Sequence, residues 1–132
     1  YVLASLSWVA KKKLPVLFVV DDNNFAVLTK KEDRRDWSAK KVAEAFKIKA
    51  YDIKDDPIKI WNTLSKNIFK EPILINIHTS RLYWHEGAGK DNDKFFDRHL
   101  QQSKILGPSA KIIDNKIMKN IEKLWLKHSN KQ

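Results

Sequence analysis

The feature that most constrains the fold is an alternation of short apolar runs with amphipathic helical patterns along the chain. The run Val16–Val20 is unbroken and rich in β-branched residues, which is typical of a central parallel strand covered on both faces. Two further strand patterns lie at Ile48–Ile53 and Ile73–His78. Because helical patterns separate these runs, we predict an α/β fold with a partly parallel sheet flanked by helices.

Helices are predicted where apolar residues recur at intervals of three and four. Asp56 followed by Pro57 is typical of a helix start, since Asp caps the first turn and proline fits the first helical position. Gly107-Pro108-Ser109 predicts a break, and the charged stretch Thr29–Asp36 predicts a loop. The predicted helices are Val2–Lys13, Ser38–Lys47, a helix that starts at Asp56, Asp93–Leu106 and Asp114–His128.

The composition is that of one ordinary folded domain, with 132 residues of which 42% are hydrophobic. The chain has no cysteine, which excludes a disulfide scaffold, a thiolate zinc site and a cysteine nucleophile. Its longest apolar run is far shorter than the ~20 residues that cross a bilayer, so no membrane partner is expected. There is no initiating Met, and Tyr1 already lies within an apolar pattern, which we interpret as a cut end.

The charge balance is strongly basic, with 26 Lys and Arg against 16 Asp and Glu and a formal net charge of +10. A basic balance raises the expectation of a nucleic-acid partner. However, 22 of the 26 basic residues are Lys, whereas base and phosphate recognition favours Arg, and residues 1–66 and 67–132 each carry a net charge of +5. We therefore predict a solvated lysine-rich surface and no nucleic-acid partner, and a non-catalytic basic α/β binding module is the alternative.

Two predicted loops follow the carboxyl ends of strands, where ligands bind in parallel sheets. Asp21–Asn24 offers carboxylate and amide oxygens, which suit magnesium, although the same residues also form plain turns. The loop Thr79–Gly89 contains Arg81 and His85, which suit a phosphate group or a proton transfer. These two loops are therefore the candidate site.

The residues around both loops resemble a known enzyme family. Leu14-Pro15, the strand that follows, and Asp21-Asp22-Asn23-Asn24-Phe25-Ala26-Val27 are similar to the second half of the thiamine diphosphate motif. The segment Glu71–His85 resembles the family's strand that ends in Thr-Tyr-Arg and is followed four residues on by His. Together they resemble the alpha subunit of the decarboxylating component of 2-oxoacid dehydrogenases, over roughly residues 1–90.

The resemblance implies roles for four residues. Asn23 matches the side chain that binds magnesium, and Phe25 matches a Tyr whose backbone carbonyl also binds the metal. His85 matches the His near the cofactor diphosphate and is the one catalytic candidate. Arg81 is also a cofactor-binding candidate and matches an Arg that orders the active-site loop, with a direct contact to the cofactor as the alternative. Asp22 stands where many members have Asn, which would add a carboxylate near the diphosphate. The implied cofactors are thiamine diphosphate and magnesium.

The resemblance also implies parts that the chain lacks. The family's motif begins with Gly-Asp-Gly, whose Asp is the other magnesium ligand, and its expected position falls just before Tyr1. We therefore interpret residues 1–132 as the C-terminal part of a single thiamine diphosphate-binding domain, truncated at its N-terminus, with an incomplete fold. Such a fragment is expected neither to hold the cofactor tightly nor to turn over.

The implied partners are the beta subunit or region of the same enzyme and a lipoyl-bearing acyltransferase component, and an oligomer is expected. Glu86 stands where animal members carry a regulatory Ser, so that phosphorylation switch is not expected. The expected location is the cytoplasm, with the mitochondrial matrix as the alternative. A transketolase-type thiamine enzyme and a truncated chain without catalytic purpose are the other interpretations of the same motifs.

Overall fold

A computed structural model describes residues 1–87, 89 and 96–129 of the chain. It divides into two compact units, residues 1–96 and residues 97–132. The elements of the first unit are α1 (Val2–Lys12), β1 (Leu17–Asp22), β2 (Phe25–Ala26), β3 (Thr29–Lys30), α2 (Ala39–Ala45), β4 (Lys49–Lys54), α3 (Pro57–Leu64) and β5 (Ile73–His78). Those of the second unit are α4 (Arg98–Leu106) and α5 (Pro108–Ser129).

The main sheet of the first unit is parallel and has the strand order β1-β5-β4. Val20, Asn76 and Asp52 lie at the same level across the three strands. Two pairs further along, Asp22 lies beside His78. The α/β class with a parallel sheet flanked by helices is thereby confirmed, and the register aligns the carboxyl ends of all three strands.

Helices cover the two faces of this sheet. Leu6 of α1 and Ala43 of α2 are 2% and 0% exposed and pack with Leu74 of β5 on one face. Leu64 of α3 packs with Ile75 of β5, which is 0% exposed, on the other face. The central strand β5 is therefore buried on both sides.

Within the described residues, the first strand does not lie at the central position that its sequence predicts. The run Val16–Val20 was expected to be central, but β1 lies at the edge of the sheet and β5 is central. Val19 is 58% exposed, whereas the first four residues of β5 are all buried. An apolar run indicates that both faces of a strand can be buried, but it does not indicate which other strands pair with it.

The polar segment after β1 also differs from the expectation. Asp21 and Asp22 belong to β1, because they pair with Ile77 and His78, and only the residues after them form the turn. Part of the predicted loop Thr29–Asp36 is a strand, since β2 and β3 form an antiparallel hairpin. The turn of this hairpin begins at Val27, whose φ of +57° is rare for a β-branched residue.

The helices mostly follow the predicted spacing. α1, α2 and α3 are confirmed, and Asp56 caps α3 by accepting hydrogen bonds from the backbone of its first turn. Helix α4 begins at Arg98 with Asp97 as its N-cap, and residues 93–95 of the predicted helix lie outside the described residues. The predicted break is limited to Gly107, because proline is compatible with the first position of α5.

The second unit consists of two helices joined at Gly107, with Ala110 buried. Many apolar side chains of α5, among them Ile117, Ile121 and Trp125, are exposed. Across the described parts of the chain, no helix combines the length and the apolar character that a bilayer crossing requires.

Candidate functional site

The two predicted loops start side by side at the carboxyl edge of the sheet. The backbone N–H of Thr79 donates to the carbonyl of Asp22 over 3.2 Å, which extends the pairing of β1 with β5 by one residue. The hydroxyl of Thr79 also donates to the carboxylate of Asp21. This adjacency follows from the parallel register, because strands that pair in parallel end at the same edge.

The turn after β1 is shaped by its own polar side chains. Asn23 Oδ1 accepts a hydrogen bond from the backbone N–H of Phe25 at 3.0 Å, which is an Asx turn. Asn24 has a φ of +66°, a conformation that Asn adopts more readily than most residues. Since a carbonyl oxygen has two lone pairs, Asn23 Oδ1 retains one acceptor position after the Asx turn is made.

The backbone carbonyl of Phe25 lies on the outer side of the hairpin. The N–H of Lys31 donates to the carbonyl of Asn24 at 2.8 Å, so these two residues form a hydrogen-bonded pair. The next pair, Phe25 with Lys30, is then the non-hydrogen-bonded one, because the two kinds alternate in an antiparallel ladder. The Phe25 carbonyl therefore points away from β3 and can accept another ligand.

Arg81 joins the second loop to the hairpin. Its Nη1 donates to the carbonyl of Val27 at 2.5 Å, and its guanidinium lies 4.5 Å from the centre of the Phe25 ring. A cation over an aromatic face is attracted by the ring quadrupole, so the two contacts act together. Arg81 thus holds the hairpin at the strained residue Val27 and stacks on a predicted ligand, Phe25.

His85 is the predicted site residue that the structure does not bring into this group. It is exposed, and within the described residues it makes no hydrogen bond or ion pair with Asn23, Phe25 or Arg81. Three of the four predicted residues are therefore close together, and His85 lies in the exposed segment that follows Tyr83.

The oxygen atoms in this turn are of the type that binds magnesium, but they supply only part of a metal site. Asn23 Oδ1 and the Phe25 carbonyl are uncharged oxygen donors from one turn, and hard cations prefer oxygen ligands. Among the described residues, no three side chains of the His, Cys, Asp or Glu type form a group that could hold a metal.

The carboxylate of Asp22, which the resemblance implies near the diphosphate, is buried and paired with basic side chains. Its side chain is only 7% exposed and accepts hydrogen bonds from Lys31 Nζ at 3.2 Å and Arg35 Nη2 at 3.0 Å. The strand extends through Asp22, so its side chain points to the same face as Val20, which packs with the α1 and α2 residues. The carboxylate is therefore occupied by two cations.

Asn76 connects this ion pair with the third strand. Its side chain is 2% exposed, and Nδ2 donates to Asp22 over 3.3 Å and to Asp52 over 3.0 Å. His78 Nε2 contacts the same Asp52 carboxylate, and His78 Nδ1 lies 4.0 Å from Asp22. A polar network of Asp22, Asn76, Asp52 and His78 thus crosses all three strands at their carboxyl ends.

The surroundings of Asp22 keep it ionised. Burial by itself would raise the pKa of the carboxyl, but hydrogen bonds from Lys31 and Asn76 and the positive charges of Lys31 and Arg35 lower that pKa overall. Arg35 in turn stacks 4.4 Å from the ring centre of Trp37. The segment after the hairpin is therefore fixed to the end of β1 by charge.

This network was not predicted from the sequence, although one signal for it was present. Asn76 interrupts an otherwise apolar strand, Ile73–Ile77, and a polar residue in a strand covered on both faces needs a buried partner. Its partners could not be identified without the strand order, because Asp22 and Asp52 are 54 and 24 residues away from it.

Comparison with known proteins adds no assignment: no protein-family model, no curated protein and no solved structure matches the chain.

Proposed function

We propose that the chain is part of the thiamine diphosphate-binding domain of a 2-oxoacid dehydrogenase, in the alpha subunit of its decarboxylating component. The observation that carries this proposal is the contact of Arg81 with Phe25 and Val27. Arg81 comes from one of the two resembling segments and Phe25 from the other. Two motifs that are more than 50 residues apart in sequence thus meet at one edge of a parallel sheet.

In this proposal, Asn23 Oδ1 and the Phe25 carbonyl hold magnesium against a diphosphate. Both oxygens come from one short turn, whose shape is set by the Asx turn of Asn23 and the positive φ of Asn24. Thiamine diphosphate, when bound, supplies the electron sink for decarboxylation of a 2-oxo acid.

Arg81 and His85 have ordering roles in this proposal. Arg81 fixes the hairpin that carries the metal-binding carbonyl, and its loop then leads to His85. An exposed imidazole near a diphosphate donates a hydrogen bond to it or moves a proton. The acyl product would pass to a lipoyl-bearing acyltransferase, and the beta subunit would complete the site.

The experiment has two steps. The coding sequence before the Tyr1 codon is read first, and an in-frame Gly-Asp-Gly turn is the expected result. The natural gene product is then purified with its beta partner and assayed for magnesium- and thiamine diphosphate-dependent carbon dioxide release from 2-oxo acids. Absence of the Gly-Asp-Gly turn, or a product without any cofactor-dependent release, contradicts the proposal.

A further inference from the structure

The outer edge of β1 has no neighbouring strand among the described residues, although its sequence is typical of a strand that has one. Leu17, Phe18 and Val20 are only partly buried, and Val19 is 58% exposed. Natural edge strands are usually protected by charged residues, prolines or bulges. Within Leu17–Val20 the strand has none of these, so its sequence suits a strand with neighbours on both sides.

The backbone groups on this edge can be identified from the pairing with β5. The carbonyl of Val16 accepts from Ile73, and the carbonyl of Asp22 accepts from Thr79. In a parallel ladder alternate residues face the same neighbour, so even-numbered residues of β1 face β5. Leu17, Val19 and Asp21 therefore direct their N–H and C=O groups to the outer side.

The position of α1 indicates where a further strand belongs. Residues 13–16 connect α1 directly to β1, as in the second half of a β-α-β unit. α1 packs on the same face as α2, and α3 packs on the opposite face.

The handedness of the connections between strands determines on which side of β1 the further strand lies. The step from β1 to β4 passes through α2 on one face, and the step back from β4 to β5 passes through α3 on the other. The two connections therefore have the same hand, and nearly all such connections are right-handed. For α1 to share that hand, the strand before it must lie on the outer side of β1, away from β5.

We propose that the outer edge of β1 is the docking edge for a parallel strand that leads into α1 in the same polypeptide. Three observations support this occupant: the apolar exposed edge, the short α1–β1 link and the face on which α1 packs. A parallel neighbour would end beside the turn that contains Asn23, so its following loop would face that turn. The proposal does not depend on which ligand the turn binds.

The test compares the natural gene product, with whatever coding sequence precedes Tyr1, with the 132-residue chain. Amide hydrogen exchange is followed by NMR at Leu17, Val19 and Asp21. We expect exchange at Val19 to be about 100-fold slower in the gene product, because its N–H is then part of a ladder. This readout requires no cofactor, so it is independent of the thiamine proposal.

Two proline variants provide the matched control. Val19→Pro removes an outward-facing N–H, and Val20→Pro removes one that faces β5. Val20→Pro should lower the urea midpoint in both proteins, whereas Val19→Pro should do so in the gene product and have a much smaller effect in the 132-residue chain. Equal effects of Val19→Pro in both proteins overturn the proposal.

Two other results also overturn it. One is a gene that encodes too few residues before Tyr1 to form a strand that reaches along β1. The other is protection of Val19 that is lost on dilution, since this would identify a second copy of the chain as the occupant. Protection that is independent of concentration and confined to the gene product supports the proposal.

Discussion

The carboxylate of Asp22 and the guanidinium of Arg35 form an ion pair of 3.0 Å, in which the two side chains are 7% and 9% exposed. Arg35 lies 13 residues after Asp22 in the chain, so the pair closes the hairpin segment onto the end of β1. Asn76 of the central strand donates to the same carboxylate oxygen. This pair fixes the segment that contains the candidate metal-binding turn.

Replacing Asp22 with Ala should lower the free energy of unfolding by about 3 kcal/mol, since it leaves the buried Arg35 charge without its partner. Urea unfolding at pH 7 measures the change. The control is Glu44→Gln, which removes the exposed pair of Glu44 with Lys40 and should cost less than about 1 kcal/mol. Equal effects of the two substitutions would contradict the assignment of Asp22 as a buried anchor.

The same carboxyl should make stability fall in acid. The folded-state pKa of Asp22 is lower than its ordinary value, so the stabilisation is fully present above the unfolded pKa of about 4. It is lost as the pH falls through the lowered folded pKa. Asp22→Asn should therefore flatten the decline in urea midpoint below pH 4, and an unchanged acid slope would count against this link.

Asn76→Asp should be strongly destabilising, because a third carboxylate would lie between Asp22 and Asp52 in place of an amide donor. We expect a loss of more than about 2 kcal/mol at pH 7 and a smaller loss at pH 4, where the new carboxyl can be protonated. Asn62→Asp on the exposed side of α3 is the matched control. A loss that does not vary with pH would contradict the explanation by charge repulsion.

Arg81→Ala should loosen the hairpin without unfolding the sheet. The substitution removes the donor to the Val27 carbonyl and the stacking on Phe25, which together hold a turn with an unfavourable φ. Limited proteolysis should then cut faster within residues 24–31, while the urea midpoint changes little. Arg34→Ala, at an exposed position in the following segment, should leave the cleavage rate unchanged.

The elements that the sequence predicts well are those whose signal is local. The strand at Ile73–His78 and the helix after Asp56 were predicted because β-branched runs and an Asp-Pro cap act over a few residues. The order of the strands is not predictable from such local signals. Val16–Val20 and Ile73–Ile77 have similar composition, and only the long-range crossovers decide which of them becomes central.

The candidate site likewise has some features that were predicted from the sequence and others that were not. The adjacency of the loops after β1 and β5 follows from parallel pairing and was predicted. The direction of the Asp22 side chain was not predicted. Strand β1 extends two residues further than expected, and this turns the Asp22 carboxylate towards Lys31 and Arg35. The hairpin was missed because Val27 occupies a positive-φ position that normally signals itself with Gly or Asn.

The most direct test of the account is a calorimetric titration of the natural gene product, in complex with its beta partner, with thiamine diphosphate at saturating magnesium. We expect saturable binding that requires magnesium, is lost in Asn23→Ala and is retained in Asn62→Ala. Absence of magnesium-dependent binding, or equal binding by the Asn23→Ala and Asn62→Ala proteins, would contradict the central claim that the turn after β1 holds a metal-bound diphosphate.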